Sequence, residues 1–203
     1  MPTPPRRQRT QEERTRATRA RLIEAAIGCL ADGGLERATT IAIAKRAGVS
    51  RGALQHQFRS ATDLMIAVIA AVEGDLVHEF DRVTASSLSR SDRLAALIEA
   101  YWNVYKSRPY LAVIEILFSG RTDRDLARRS RRAVAEIKTL GERRWRECFA
   151  DIGTAPADAA KLRTVVISTL RGMAVRRTYW RSAATERADI ALLTELCRRY
   201  LGR

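Results

Sequence analysis

The chain predicts an all-α protein, with a small helix-turn-helix domain at its N-terminus and a larger helical domain behind it. Three observations carry that expectation. Long windows are dominated by Ala, Leu, Arg and Glu, which lose little on entering a helix. Five prolines and eleven glycines in 203 residues leave little room for a turn-rich β fold. Apolar residues recur three and four apart through most of the length, and at 46% they suffice for a sizeable core.

The elements follow in order. Residues 1–9 hold three prolines and three arginines and predict a disordered basic arm. Thr10 opens Thr-Gln-Glu-Glu, a capping-box pattern, so the first helix starts there. Leu22, Ile23, Ala26, Ile27 and Leu30 form its inner stripe, and Asp32-Gly33-Gly34 ends it. Thr39 or Thr40 caps a short second helix through Ala47. Gly48-Val49 makes a turn, and Ser50 caps a third helix running to about Phe58. A fourth, from near Ser60, carries Leu64, Val68, Val72, Leu76 and Phe80 on one stripe. Others are expected over 92–107, 109–118, 123–151, 156–180 and 185–201, nine in all. The expected organisation is the arm at 1–9, a helix-turn-helix domain at 10–60, and a ligand-binding and dimerisation domain at 61–203. The fourth helix joins the two domains.

Charge is unevenly spread. Residues 1–60 hold twelve Lys and Arg against five acids, half of the total excess of +14 in under a third of the chain. Such a density suits a polyanion, although a merely basic surface would share it. Cys29, Cys148 and Cys197 are odd in number and lack metal-ligand spacing, so neither a disulfide framework nor a zinc site is expected. The longest apolar run, Leu64 to Val72, is far short of a membrane span, and Glu24 interrupts any signal-like segment early. A cytoplasmic location without membrane contact is the resulting expectation. An enzyme is disfavoured: His56 and His78 are the only histidines, and no zinc, nucleophile-elbow or phosphate-loop pattern occurs. Asp123 and Asp125 sit where a helix dipole alone explains them. No cofactor or metal is implied.

The stretch Ile43 to Phe58, IAKRAGVSRGALQHQF, has the parts a helix-turn-helix needs. Ala44 and Ala47 are small where helices would cross, Gly48 can take a left-handed conformation, and Val49 plugs the turn. Leu54 and Phe58, four apart, face a core. Arg51, Gly52, Gln55 and His56 are polar or tiny, a face able to enter a major groove. An ordinary helical hairpin with a solvated outer face would share this spacing. The longer run from Thr39 to Met65, TTIAIAKRAGVSRGALQHQFRSATDLM, resembles the DNA-binding signature of the TetR family of bacterial transcriptional regulators.

The resemblance implies a homodimer that places two recognition helices in successive major grooves of a palindromic double-stranded operator, and a C-terminal domain holding a small-molecule effector. It implies that Thr40 contacts phosphate and that Arg51, Gly52 and Ala53 form the base-reading turn, with Ser50 capping it and His56 alongside. Lys45 and Arg46 are flanking charge. Two positions depart from the family pattern. Gln55 stands where a tyrosine is usual, and it could read adenine or merely touch phosphate. Ala61 stands where a lysine commonly grips phosphate; Arg59, or the seven arginines from Arg6 to Arg21, could replace that contact.

Candidates to line an effector pocket are Phe80, Tyr101, Trp102, Tyr105, Tyr110, Phe118, Trp145 and Phe149, each of which could equally be core. For dimerisation, the last two helices offer Leu162, Val166, Leu170 and Met173, and Leu192, Leu196 and Tyr200. Arg171, Arg176 and Arg177 could pair with acids, bind an anionic ligand or face water, the last being expected. The functional expectation is a sequence-specific transcriptional repressor released from its operator by a ligand. The alternative is a basic helical protein that binds nucleic acid without sequence preference, or an architectural one.

Overall fold

The computed structural model describes residues 10–150 and 155–201. Among these the chain forms nine helices and no strand: α1 Gln11–Arg37, α2 Thr40–Ala47, α3 Arg51–Gln57, α4 Ala61–Thr84, α5 Arg90–Tyr105, α6 Arg108–Ser119, α7 Arg124–Cys148, α8 Pro156–Arg176 and α9 Ala183–Leu201. The basic arm expected over residues 1–9, and the end of the seventh helix expected at Asp151, lie outside the described residues.

Each of the first seven helices starts at a residue whose side-chain oxygen accepts the N–H three positions on: Thr10, Thr39, Ser50, Ser60, Ser89, Ser107 and Asp123. Each such cap contributes about 1 kcal/mol. At Thr10 the box is reciprocal, because the Thr10 N–H donates to Glu13 Oε2 at 2.8 Å. Differences from expectation lie at helix ends. α5 starts at Arg90 rather than Asp92, since Ser89 takes the cap. α8 stops at Arg176, and the turn through Tyr179 and Trp180 leaves both rings exposed.

The inner stripes of α1 and α4 meet in one core. Leu22, Ala26 and Leu30 join Ile43, Leu54 and Phe58 from the short helices, then Leu64, Val68 and Val72 from α4. α4 continues without a break from the helix-turn-helix into the larger bundle, where it packs on α5, α6 and α7. α1 also runs along α6, and this seam holds a shared carboxylate. Asp32 of α1 accepts from Arg46 of α2 at 2.7 Å and also from Arg108 of α6. The two guanidiniums, Arg46 first, hold its carboxyl below the usual aspartate range. Gly34, with φ of 68°, breaks the helical backbone of α1 here; a Cβ on it would lie 3.1 Å from Glu115 Oε2 of α6.

Candidate nucleic-acid interface and helical bundle

The turn between α2 and α3 is set by Gly48, which has φ of 64° and ψ of 39°. Its N–H donates back to the Lys45 carbonyl, and the Val49 N–H donates to Ala44. This closes α2 in the left-handed conformation that costs a side-chain-bearing residue about 1 kcal/mol or more. Ser50 then starts α3, accepting from the Ala53 N–H at 3.1 Å. Leu54 and Phe58 are almost fully buried, at 1% and 3% exposed. From α1, the Arg19 guanidinium lies 4.4 Å over the Phe58 ring and donates to the Gln57 carbonyl at 3.3 Å. Arg19 is thus committed to holding α3 down.

With those anchors behind it, α3 presents Arg51, Gly52, Gln55 and His56 to solvent, with Ala53 half-buried between them. Ser50, Lys45 and Arg59 are also exposed, and Thr40 is half-buried at the start of α2. Gly52 is informative. A Cβ built there meets only Ser50 Oγ at 3.8 Å, so nothing in the chain's own packing calls for a glycine. Within a helix glycine costs up to about 1 kcal/mol relative to alanine, and no internal contact at Gly52 offsets that cost. Arg46, also exposed, lies along α1, where the missing Cβ of Gly28 makes room and Asp32 pairs with its charge. Ile41, not expected at this surface from the sequence, is 64% exposed near Thr40.

In the larger bundle, Tyr101, Trp102, Tyr105, Tyr110, Trp145, Phe149 and Phe80 are all buried. The Trp145 indole N–H donates to the Tyr101 hydroxyl at 3.3 Å, Trp145 packs on Phe149, and Tyr105 meets Tyr110 edge-on at 4.6 Å. Burial pushes the Tyr110 phenol up to about 12 and the Tyr105 phenol higher, so both stay neutral hydroxyls. Phe80, Tyr101 and Tyr105 line a small, partly open cavity of about 20 Å³; Trp102, Tyr110, Trp145 and Phe149 do not. Phe118 does not join them: the phase of α6 turns it outward near the helix end, 56% exposed.

Along α8 and α9 the inward and outward positions are distinct. Val166 and Leu170 are fully buried in the chain's own core and present nothing to a partner. The exposed apolar positions are Val165 on α8 and Leu192 and Leu196 on α9, each more than half exposed. They line an open groove of about 760 Å³ whose edges include Leu162, Met173 and Tyr200. The arginines expected to face water are paired: Arg176 with Asp189, Arg177 with Glu186, and Arg171 with Glu73 at 3.6 Å. The acids sit one helix or more away in sequence, which is why the pairing was not legible there.

Residues 22–68 match the family model described as bacterial regulatory proteins, tetR family. The chain is 24% identical over 170 residues to the HTH-type transcriptional regulator CymR of Pseudomonas putida, covering 84% of each. It is 31% identical over 118 residues to an uncharacterised HTH-type transcriptional regulator of Mycobacterium tuberculosis, covering 58% of this chain and 60% of that one. Among solved structures, GusR of Salmonella enterica superposes with a TM-score of 0.68 at 18% identity, covering 96% of this chain and 98% of that one. A TetR family transcription regulator of Marinobacter aquaeolei does so with a TM-score of 0.65 at 14% identity, covering 94% and 98%.

Proposed function

From the premise that this chain belongs to the TetR family of bacterial transcriptional regulators, DNA-binding proteins rather than enzymes, we propose that it is a repressor released by a small-molecule ligand. It acts in the cytoplasm as a homodimer on a palindromic operator, with no cofactor. Residues 10–60 form the reading head and residues 61–203 the effector and dimer domain. The observation that carries the proposal is the two-faced α3. Leu54 and Phe58 fix it from behind, while Arg51, Gly52, Gln55 and His56 face outward. Ala53 approaches bases with them, and Thr40, Lys45, Ser50 and Arg59 reach phosphates on either side. Arg46, paired with Asp32 on the surface, ties α2 to α1.

The groove on α8 and α9 supports the dimer reading. A second copy brings its own Val165, Leu192 and Leu196 to the same surface in a two-fold arrangement. That sets the spacing of the two heads near one turn of DNA, about 34 Å. Repression follows because occluding a promoter needs no contact beyond DNA itself.

The test is a gel shift using a palindromic duplex from upstream of the protein's own gene, with unlabelled random duplex as competitor. The specific complex is expected to survive competitor at concentrations that abolish random binding, and to weaken steeply with added salt. Equal competition by both duplexes contradicts operator recognition and favours the non-specific alternative.

A further inference from the structure

We propose that the effector of the larger domain is a small organic monocarboxylate with an apolar body, its carboxylate held by Arg163 of α8. The inference rests on the ligand-release reading above and names the chemistry of that ligand.

Arg163 lines the cavity beside Phe80, Tyr101 and Tyr105, and its Nε, like that of the ion-paired Arg171, is buried without a hydrogen-bond partner. Among the described residues it forms no ion pair, whereas Arg144, on the same cavity, is held by Asp81. The fold has also made a berth for it. α7 carries Gly141 opposite, and a Cβ there would lie 2.2 Å from Nη2 of Arg163. A mid-helix glycine is tolerated here because the guanidinium lies against the α7 backbone.

Charge around the cavity is unbalanced by one. Arg144, Arg163 and Arg171 face Glu73 and the Asp81 that serves Arg144, so a single positive charge is left without a carboxylate. A partly buried guanidinium with an unmade bond is a costly arrangement, and a planar monoanion completes it in bidentate fashion. The remaining walls (Leu76, Phe80, Ile137 and Ile167, with the faces of Tyr101 and Tyr105) suit an aromatic or aliphatic body rather than a polar one. They also disfavour phosphate, which carries more charge than the site lacks.

A volume of about 20 Å³ holds little more than one water, so such a ligand is accommodated only when α4, α5, α7 and α8 part. α4 is also the helix that starts at the reading head. A ligand stable only in the parted arrangement therefore moves α4, which gives it the differential affinity that release requires.

The experiment pairs acids with their uncharged analogues. The full-length protein is titrated with carboxylates from butyrate to decanoate, benzoate and phenylacetate, each against its primary amide and the corresponding amine. Binding is read by thermal shift and by release of the operator duplex. Wild type is expected to prefer at least one acid over its amide by about tenfold or more, the factor expected of a charge-assisted bond. Arg163→Leu is expected to lose the preference and Arg163→Lys to keep part of it. Gly141→Ala, which displaces the guanidinium while leaving a good helix former, is expected to weaken acid binding without lowering the melting temperature. Amides or amines acting in place of acids, or acids binding Arg163→Leu as well as wild type, overturn the inference and leave ligand release standing. No compound of any class shifting the protein or freeing DNA counts against both.

Discussion

At Gly48 the backbone conformation itself sets the chemistry. Its φ of 64° is open to glycine at no steric cost, and no side chain crowds the position. Gly48→Ala is therefore expected to destabilise the protein by roughly 1 kcal/mol through backbone strain alone, measured by urea unfolding. This position was legible in the sequence, because a glycine between two short amphipathic patterns has few other uses. Glu73 was not. It lies on the inward face of α4 among apolar residues, 4% exposed, and only the fold brings Arg171 and Arg163 of α8 towards it. Burial raises its carboxyl above the ordinary glutamate range, and the two arginines only partly offset this. A carboxyl whose folded pKa exceeds its unfolded one weakens the fold above that window, and the penalty disappears as pH falls through it. Glu73→Gln is thus expected to raise the melting temperature at neutral pH, with the difference from wild type closing as pH drops into the glutamate range. A lower melting temperature at neutral pH would mean that the pairing with Arg171 outweighs desolvation.

The short helices stand or fall by their anchors. α3 has seven residues, too few to be stable alone, so its geometry depends on Leu54 and Phe58 entering the core beside α1 and α2. Leu54→Ala is expected to cost about 2–5 kcal/mol and to loosen α3 in particular, seen as faster amide exchange over residues 51–57 than elsewhere. Capping residues made the helix starts readable: Thr39, Ser50 and Ser60 each precede an apolar periodic run by about one turn, and Thr10 announces itself by the capping box with Glu13. Facing direction in the C-terminal helices was harder. Leu, Val and Ala occur on several sides of α8, so periodicity alone did not separate the buried Val166 and Leu170 from the exposed Val165. Phe118 misled for the same reason, lying at the end of an apolar helix whose last turn leaves the core. The Asp32 link was invisible in sequence because its arginines lie on two other helices, 14 and 76 residues away.

At the scale of the whole molecule, one chain carries a helix-turn-helix, a bundle with a charged cavity and an exposed apolar groove on α8 and α9. Leu192 and Leu196 are the exposed apolar pair on α9, and neither supports the chain's own core. Leu192→Glu with Leu196→Glu is expected to convert dimer to monomer in sedimentation velocity while keeping the helical content. An unchanged sedimentation coefficient would place the subunit contact elsewhere. The central claim, that the outer face of α3 enters a DNA groove, is tested most directly at Gly52, where the chain's own packing leaves room for a side chain. Gly52→Leu should leave the melting temperature within a few degrees of wild type. In fluorescence anisotropy with the upstream palindrome it should lose about a hundredfold in affinity, comparable with the loss of a base contact or two. Wild-type affinity in a folded Gly52→Leu protein would contradict the claim.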